Sequence, residues 1–228
     1  KTRTIAGAEA LVRWIHPGKG LIPPDSFIPL FERNGFVTEI DFYMLEQVCQ
    51  KMRTWIDKNY NVVPISINLS RQHLQKEETL SKISEVVSKY EIPVNLLEFE
   101  LTESAMFEKM VFLADFGQKL RKSGFSISID DFGSGYSSLN MLKDVEVDVL
   151  KLDKAFFENE NQERGNQVIS KFIELSKSLH MKVVSEGVET QEQVDFLTEV
   201  GCDMVQGYYF ARPMPADEFE EKYLKNGL

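Results

Sequence analysis

Short runs of apolar and β-branched residues alternate with longer segments of helical spacing along the whole chain. The short runs predict seven β-strands, because such residues suit the surface of a pleated sheet. They are TIAGAEALVRW at 4–14, VPISINLS at 63–70, LLEFELTES at 96–104, FSISIDDFG at 125–133, VDVLKLD at 147–153, MKVVSEGVE at 181–189 and DMVQGYYF at 203–210. Strands that alternate with helices predict βαβ units and a parallel sheet, which is an α/β fold.

The segments between the strands carry helix ends and apolar faces. Asp25 is the predicted N-cap of SFIPLFERNG, and Gly35 is its predicted C-terminal stop. Helical spacing also marks MVFLADFGQKLRKSG, GNQVISKFIELSKSLH, TQEQVDFLTEVG and ADEFEEKYLKNG. In EIDFYMLEQVCQKMRTWIDK, the residues at i+4 steps on one predicted core face are Ile40, Met44, Val48 and Met52.

Seven strands over this length favour a (β/α)-barrel over an open sheet, although the pattern alone does not close the barrel. Both architectures are α/β. No low-complexity linker interrupts the sequence, and we therefore predict a single domain over residues 1–228.

Each predicted strand ends in a polar group that interrupts an otherwise apolar run. In the carboxyl-end face of a barrel, such groups from successive strands converge, and active sites lie there. A single acid after a strand is usually a helix cap or a solvated loop residue. A polar group at the end of every strand in succession indicates a site instead. Several of these groups precede their helix by many residues, so they are too far from it to act as caps. In chain order they are Glu9, Asn68, Glu100, Asp130 with Asp131, Lys151, Glu186 and Gln206.

The charges of these groups predict bound cations. Five of them are carboxylates and one is a lysine, which leaves a formal sum of −4 that two divalent cations would balance. Carboxylate and amide oxygens select magnesium, manganese or calcium over softer metals. The histidines His16, His73 and His180 lie outside this set, and we expect surface or capping roles for them. Such a site suits attack of water on a phosphodiester.

Composition narrows the possible partners. The net charge of −10 disfavours nucleic acid polymers and anionic membranes as partners, and the 43% hydrophobic content is that of a globular protein. No apolar run is long enough to span a membrane. Cys49 and Cys202 stand alone in apolar settings, and we expect buried, reduced thiols in a cytoplasmic protein. No apolar segment of a secretion signal follows KTRTIAG, and we expect the chain to begin inside a longer protein.

The motifs at the strand ends resemble those of the EAL domain, a bacterial phosphodiesterase module that opens cyclic di-GMP to linear pGpG. They occur in the expected order over essentially the whole chain: EALVRW at 9–14, INLS at 67–70, ELTE at 100–103, DDFGSGYSSL at 130–139, LKLD at 150–153, EGVE at 186–189 and QGYYFARP at 206–213. The resemblance implies a TIM-like (β/α)8 barrel. Only eight residues precede the EAL triplet, and we expect the first strand to be missing or truncated.

The resemblance also implies roles for matched residues. One Mg²⁺ or Mn²⁺ ion would be held by Glu9, Asn68, Glu100 and Asp130, and the second by Asp130, Asp131 and Glu186. Ca²⁺ is expected to bind there but to support little activity. The implied catalytic residues are Lys151, Glu186 and Gln206. Lys151 would orient or help deprotonate the water that these two ions activate, with Glu186 close by, and Gln206 would position water or substrate.

Substrate and loop contacts follow in the same way. Arg13 has the same strand parity as Glu9 and would reach a substrate phosphate. Glu189 could contact a base or cap the helix that starts at Thr190. Further contacts to substrate would come from Leu11 and Asp153. Glu103 would anchor the loop after Asp131, in which Ser134 stands where threonine is commoner.

Two readings of function remain open at this point. The first is an active phosphodiesterase for cyclic di-GMP, which we favour because every matched position keeps its chemical type. The second is a catalytically inactive receptor for cyclic di-GMP or a protein-interaction module. The resemblance further implies a homodimer and covalently linked regulatory domains, through which the full-length protein can be anchored to a membrane.

Overall fold

The computed structural model describes residues 4–76, 78–103, 110–133, 142, 145–157 and 162–225. The chain divides into two compact units. The N-terminal unit comprises Ile5–Phe99, Lys119–Phe125 and Pro215–Leu228, and the C-terminal unit comprises Lys1–Thr4, Glu100–Gln118 and Ser126–Met214. The single domain expected from the sequence stays a prediction.

The described residues contain nine strands and seven α-helices. The strands are β1 Ala8–Ala10, β2 Trp14–His16, β3 Gly20–Ile22, β4 Ile65–Asn68, β5 Leu97–Thr102, β6 Ser126–Phe132, β7 Val149–Leu152, β8 Lys182–Ser185 and β9 Met204–Val205. The helices are α1 Pro24–Asn34, α2 Val37–Asp57, α3 Thr79–Lys89, α4 Met110–Lys122, α5 Gln162–Ser178, α6 Gln191–Glu199 and α7 Ala216–Phe219. Short 3₁₀-helices span Arg71–Gln75, Val94–Leu96 and Lys154–Phe157, and a π-helical turn spans Glu220–Leu224.

Seven strands form one sheet in the order β1-β4-β5-β6-β7-β8-β9. The pairs β1–β4, β6–β7, β7–β8 and β8–β9 are parallel. The predicted strand at 4–14 is divided, because β1 ends at Ala10 and Trp14–His16 pairs antiparallel with Gly20–Ile22 as a separate hairpin. The remaining six predicted strands each contain one observed strand, and the α/β class is confirmed.

The start of α1 differs from the prediction. The helix begins at Pro24, and Pro23 is its N-cap residue with an extended backbone and no side-chain cap. Proline suits the first helical position because its φ is fixed and its missing N–H would be unsatisfied there anyway. Asp25 therefore lies in the first turn and is not the N-cap. The predicted stop is confirmed, since Gly35 closes the helix with φ of 82°.

The buried face of α2 also differs from the prediction. Met52 is buried as predicted, whereas Ile40, Met44 and Val48 are only half-buried. The helix instead buries the neighbouring face, which carries Val37, Thr38, Asp41, Leu45, Cys49, Met52 and Trp55. The apolar pattern misplaced this face because a carboxylate, Asp41, is one of its members.

One histidine prediction is wrong. His73 is fully buried, with its Nε2 atom 3.0 Å from Oδ2 of Asp41. This partner satisfies the ring inside the N-terminal unit, which a surface role would not require. His16 accepts a hydrogen bond from the main-chain N–H of Gly18, and His180 is exposed after α5, as expected for turn and surface positions.

The two cysteines are free and buried, as predicted. Burial raises the pKa of Cys49 to about 12, because the thiolate would lose its hydration there.

We therefore expect neither thiol to react rapidly with Ellman's reagent at pH 8 while the protein is folded. Full reaction should follow addition of guanidinium chloride. Fast labelling of one thiol in the folded protein would contradict this expectation.

None of the described helices combines the length and the apolar character that a bilayer crossing requires.

Candidate metal centre

Asp130 and Asp131 stand at the end of β6, where the strand loses its regular geometry. The pairing of β6 with β7 shifts register between Ile129 and Phe132, and Asp131 has φ of 55°. Neighbouring side chains of a regular strand point to opposite faces, whereas the irregular backbone here lets both carboxylates turn to one side. One carboxylate oxygen from each of Asp130, Asp131 and Glu186 lies within 4.8 Å of the others.

Lys151 connects the carboxylates at the ends of three strands of the C-terminal unit. Its Nζ atom lies 2.9 Å from Oε2 of Glu100, 3.0 Å from Oδ1 of Asp130 and 2.8 Å from Oε1 of Glu186. The lysine side chain is only 3% exposed, so these ion pairs are shielded from water. Three carboxylates share one ammonium, and Asp131 adds a fourth negative group, which leaves an excess of oxygen donors. Hard divalent cations fit this donor set.

The turn after β6 is held by Glu103 and requires glycine. Oε2 of Glu103, which is buried, accepts a hydrogen bond of 2.9 Å from the main-chain N–H of Gly133. Gly133 has φ of 96°, and a Cβ atom there would lie 2.0 Å from the ring of Phe156. The predicted role of Glu103 as an anchor of the whole loop stays a prediction. Ser134, the other predicted loop residue, lies outside the described residues.

Glu9 and Asn68 lie in the N-terminal unit, at the ends of the paired parallel strands β1 and β4. Nδ2 of Asn68 donates a hydrogen bond of 3.0 Å to Oε1 of Glu9. This contact engages the amide nitrogen, so that the amide oxygen of Asn68 faces away from Glu9 and can act as a ligand. Their predicted role in a metal site with Glu100 and Asp130 stays a prediction.

The predicted substrate residues are exposed or engaged in local contacts. Leu11 is 38% exposed, and the exposed Arg13 donates to the carbonyl of Val12 at 2.8 Å. Oδ1 of Asp153 accepts from the N–H of Ala155 at 2.8 Å and thereby caps the 3₁₀-helix that follows. Their contacts to a substrate stay predictions.

Of the two roles left open for Glu189, capping is wrong. α6 is capped by Thr190, whose side chain accepts from the N–H of Gln193 in a capping box. A hydroxyl at the position before the first helical residue is better placed for this contact than the exposed side chain of Glu189. Contact of Glu189 with a base stays a prediction.

Gln206 is fixed beside the residues that follow β8. Its N–H donates to the carbonyl of Ser185 at 2.8 Å, and its carbonyl accepts from Val188 at 3.1 Å. These bonds hold the segment after β9 next to Glu186. The catalytic role of Gln206 stays a prediction.

Two aromatic residues near the strand ends differ in exposure. Phe132 is only 1% exposed and belongs to the core, whereas Tyr208 is 52% exposed with the guanidinium of Arg212 4.3 Å from its ring centre. Sequence reasoning missed the buried contact between Asp41 and His73. The sequence did carry a signal for this contact, because Asp41 lies on the buried face of α2. A search for apolar periodicity overlooks such an acid.

Parallel strands whose carboxyl ends carry a lysine among four carboxylates define an α/β protein with a group of acids that could hold a metal ion. The chain belongs to the EAL domain family, whose model matches residues 1–213. The motifs that suggested this family in the sequence are therefore confirmed.

Curated relatives are similar over nearly the whole chain. The signaling protein YkoW of Bacillus subtilis (strain 168) is 36% identical over 97% of this chain, which covers 28% of YkoW. The cyclic di-GMP phosphodiesterase NbdA of Pseudomonas aeruginosa is 36% identical over 93% of this chain, which covers 27% of NbdA. The chain thus spans little more than a quarter of the length of these relatives.

Solved structures share the fold. The PaMucR phosphodiesterase in its c-di-GMP complex is 35% identical with a TM-score of 0.86, over 92% of this chain and 86% of that one. The EAL enzyme Bd1971, bound to cAMP and cyclic di-GMP, is 28% identical with a TM-score of 0.88, over 97% of this chain and 61% of that one. This likeness confirms the TIM-like class predicted from the sequence.

Proposed function

We propose that this chain hydrolyses cyclic di-GMP to linear pGpG. The observation that carries the proposal is the buried ammonium of Lys151 among Glu100, Asp130 and Glu186, with contacts of 2.8–3.0 Å. The name of NbdA and the c-di-GMP complex of PaMucR support this substrate. Because the chain spans part of its relatives, the activity of the whole protein belongs to the same proposal.

The acidic groups suit two Mg²⁺ or Mn²⁺ ions. Asp130, Asp131 and Glu186 offer three oxygens close enough to share one ion. The second ligand set is the one implied by the resemblance, with Glu9, Asn68, Glu100 and Asp130. When bound, the two cations would neutralise the phosphate and activate a water molecule.

The reaction is a displacement at phosphorus. The water oxygen forms a bond to phosphorus, the bond from phosphorus to the 3′-oxygen breaks, and the 3′-oxygen takes up a proton. Lys151 would orient the water, because its ammonium can donate a hydrogen bond while Glu186, 2.8 Å away, can accept one. Glu186 can take the proton that the water loses. Main-chain hydrogen bonds to Ser185 and Val188 hold Gln206 beside the segment that carries Glu186. Gln206 would position water or substrate.

The decisive test is incubation with cyclic di-GMP and Mg²⁺, followed by chromatographic separation of the nucleotides. We expect a pGpG peak that grows with time and that Glu9→Ala reduces by about two orders of magnitude or more, as for loss of a metal ligand. Glu85→Ala, which removes an exposed acid on α3, is the matched control and should keep full activity.

Each result separates the two readings of function. Cyclic di-GMP that binds tightly but stays intact would reject the enzyme and favour the receptor. Normal turnover in Glu9→Ala would reject the role of Glu9 while leaving the enzyme in place.

The proposal extends to assembly and location. The length of the relatives supports linked regulatory domains outside this chain. A homodimer and a cytoplasmic site of action stay predictions, which sedimentation of the purified chain and fractionation of cells would test.

A further inference from the structure

A buried acid of α2 binds the segment that follows β4. Oδ2 of Asp41 accepts a hydrogen bond of 2.9 Å from the main-chain N–H of Ser70. The same oxygen lies 3.0 Å from Nε2 of His73, which has no exposed surface. One carboxylate oxygen therefore fixes two points of the chain just beyond the strand.

These two points are the ends of a single tight turn. Ser70 is the N-cap of the 3₁₀-helix Arg71–Gln75, and its hydroxyl accepts from the N–H of Gln72 at 3.3 Å. Its carbonyl accepts from the N–H of His73 at 3.0 Å. The ring of His73 also packs edge-on against Phe42, with centroids 5.1 Å apart. Asp41 thus holds a turn that is already closed by its own hydrogen bonds.

Asn68 is the last residue of β4 and lies two positions before Ser70. Its side chain is exposed, and its Nδ2 atom donates a hydrogen bond of 3.0 Å to Oε1 of Glu9. Packing of the Asn68 side chain therefore does little to orient it. Its direction depends on the backbone around it, which is fixed by the buried residues Ile67 and Leu69 and by the bond from Ser70 to Asp41.

We propose that Asp41 is a positioning residue for Asn68 and sets the affinity of the protein for divalent cations through the N–H of Ser70. The inference rests on the proposed function, in which Asn68 is a ligand. Residues that hold metal ligands in place typically change metal affinity or activity by about 10–100-fold when they are replaced. Asp41 touches neither metal nor substrate in this role.

A purely structural role for Asp41 makes a different prediction. A buried carboxylate with two donors stabilises its surroundings whether or not the turn matters for a metal. Its loss would then lower the melting temperature and leave the metal affinity unchanged. The two roles are separated by measuring both quantities on the same variants.

The sharpest pair of variants changes Ser70 and leaves the acid in place. Ser70 has φ of −64° and ψ of 142°, a conformation that proline adopts without strain. Ser70→Pro removes both the hydroxyl and the main-chain N–H that donates to Asp41. Ser70→Ala removes the hydroxyl alone. The difference between the two variants reports the bond to Asp41.

The experiment measures Mn²⁺ binding to the full chain by calorimetry and hydrogen exchange in the peptide around residues 66–72. We expect Ser70→Pro and Asp41→Ala to weaken Mn²⁺ binding about tenfold and to speed exchange in this peptide. Ser70→Ala should stay within about twofold of wild type. Asp41→Asn keeps an oxygen that can accept from Ser70 and should recover most of the affinity.

Turnover supplies a second readout. The Mg²⁺ concentration for half-maximal activity should rise about tenfold in Asp41→Ala, while kcat at saturating Mg²⁺ stays near wild type. Glu220→Ala is the stability control, because Glu220 accepts a hydrogen bond of 2.9 Å from Trp55. Trp55 lies on α2, as Asp41 does. This variant should lower the melting temperature without changing Mn²⁺ affinity.

The outcomes also distinguish the inference from the proposed function. A wild-type protein that binds no Mn²⁺ would overturn the proposed metal site itself. If wild type, Asp41→Ala and Ser70→Pro all bind Mn²⁺ with the same affinity, the positioning role of Asp41 is overturned and the proposed metal site is not.

Discussion

Replacing Lys151 with methionine is expected to lower kcat for cyclic di-GMP by about a thousandfold, within the range for loss of a residue that assists proton transfer. Methionine keeps the length and apolar stem of the side chain but removes the ammonium that lies 2.8 Å from Glu186. The water would lose its donor, and three acidic groups would lose their shared cation. Single-turnover formation of pGpG measures this loss without interference from product release.

The same variant makes a prediction for stability. In metal-free protein, Lys151→Met removes the ammonium that Glu100, Asp130 and Glu186 share, and removal of one partner of a buried ion pair destabilises strongly. We expect a lower melting temperature in chelator, with much of the difference removed by Mn²⁺. Lys171→Met, at a side chain 79% exposed, is the matched control. A variant with near-normal turnover would reject the role of Lys151.

Removing divalent cations is expected to abolish hydrolysis. The carboxylates of Asp130, Asp131 and Glu186 repel one another when no cation lies among them, and Lys151 supplies a single positive charge. An excess of EDTA should therefore stop pGpG formation, and added Mg²⁺ or Mn²⁺ should restore it. Turnover that persists in excess chelator would rule out the metal-dependent mechanism.

Calcium provides the control for geometry. Ca²⁺ takes more ligands at longer and looser distances than Mg²⁺, so it should bind the same oxygens while placing water poorly. We expect binding of Ca²⁺ by calorimetry together with turnover of no more than a few per cent of the Mg²⁺ rate. Equal activation by both ions would show that coordination geometry does not limit the reaction.

The strand pattern and the strand-end groups could be read from the sequence for a physical reason. Parallel strands must be apolar on both faces, so a polar residue near their carboxyl end stands out, as Lys151 and Glu186 do. The spacing of these residues therefore indicated both the sheet and the place of the site. The hairpin of β2 and β3 could not be read in this way, because Trp14 continues the apolar run of β1.

Other features depend on contacts between distant residues. The buried face of α2 was misplaced because Asp41 reaches Ser70 and His73, which lie about 30 residues away along the chain. The surface or capping role expected for His73 is wrong for the same reason. Local periodicity contains no information about such partners, and only the folded chain reveals that a polar residue is satisfied in the core.

The left-handed backbone at Asp131 gives this position two separate requirements. Asparagine tolerates φ of 55° but carries no charge, whereas glutamate carries the charge but fits this backbone less well. Aspartate meets both demands at once. Chemical similarity is thus a poor guide to exchange at residue 131, and a relative with asparagine there would keep the turn while losing the charge that the proposed metal site uses.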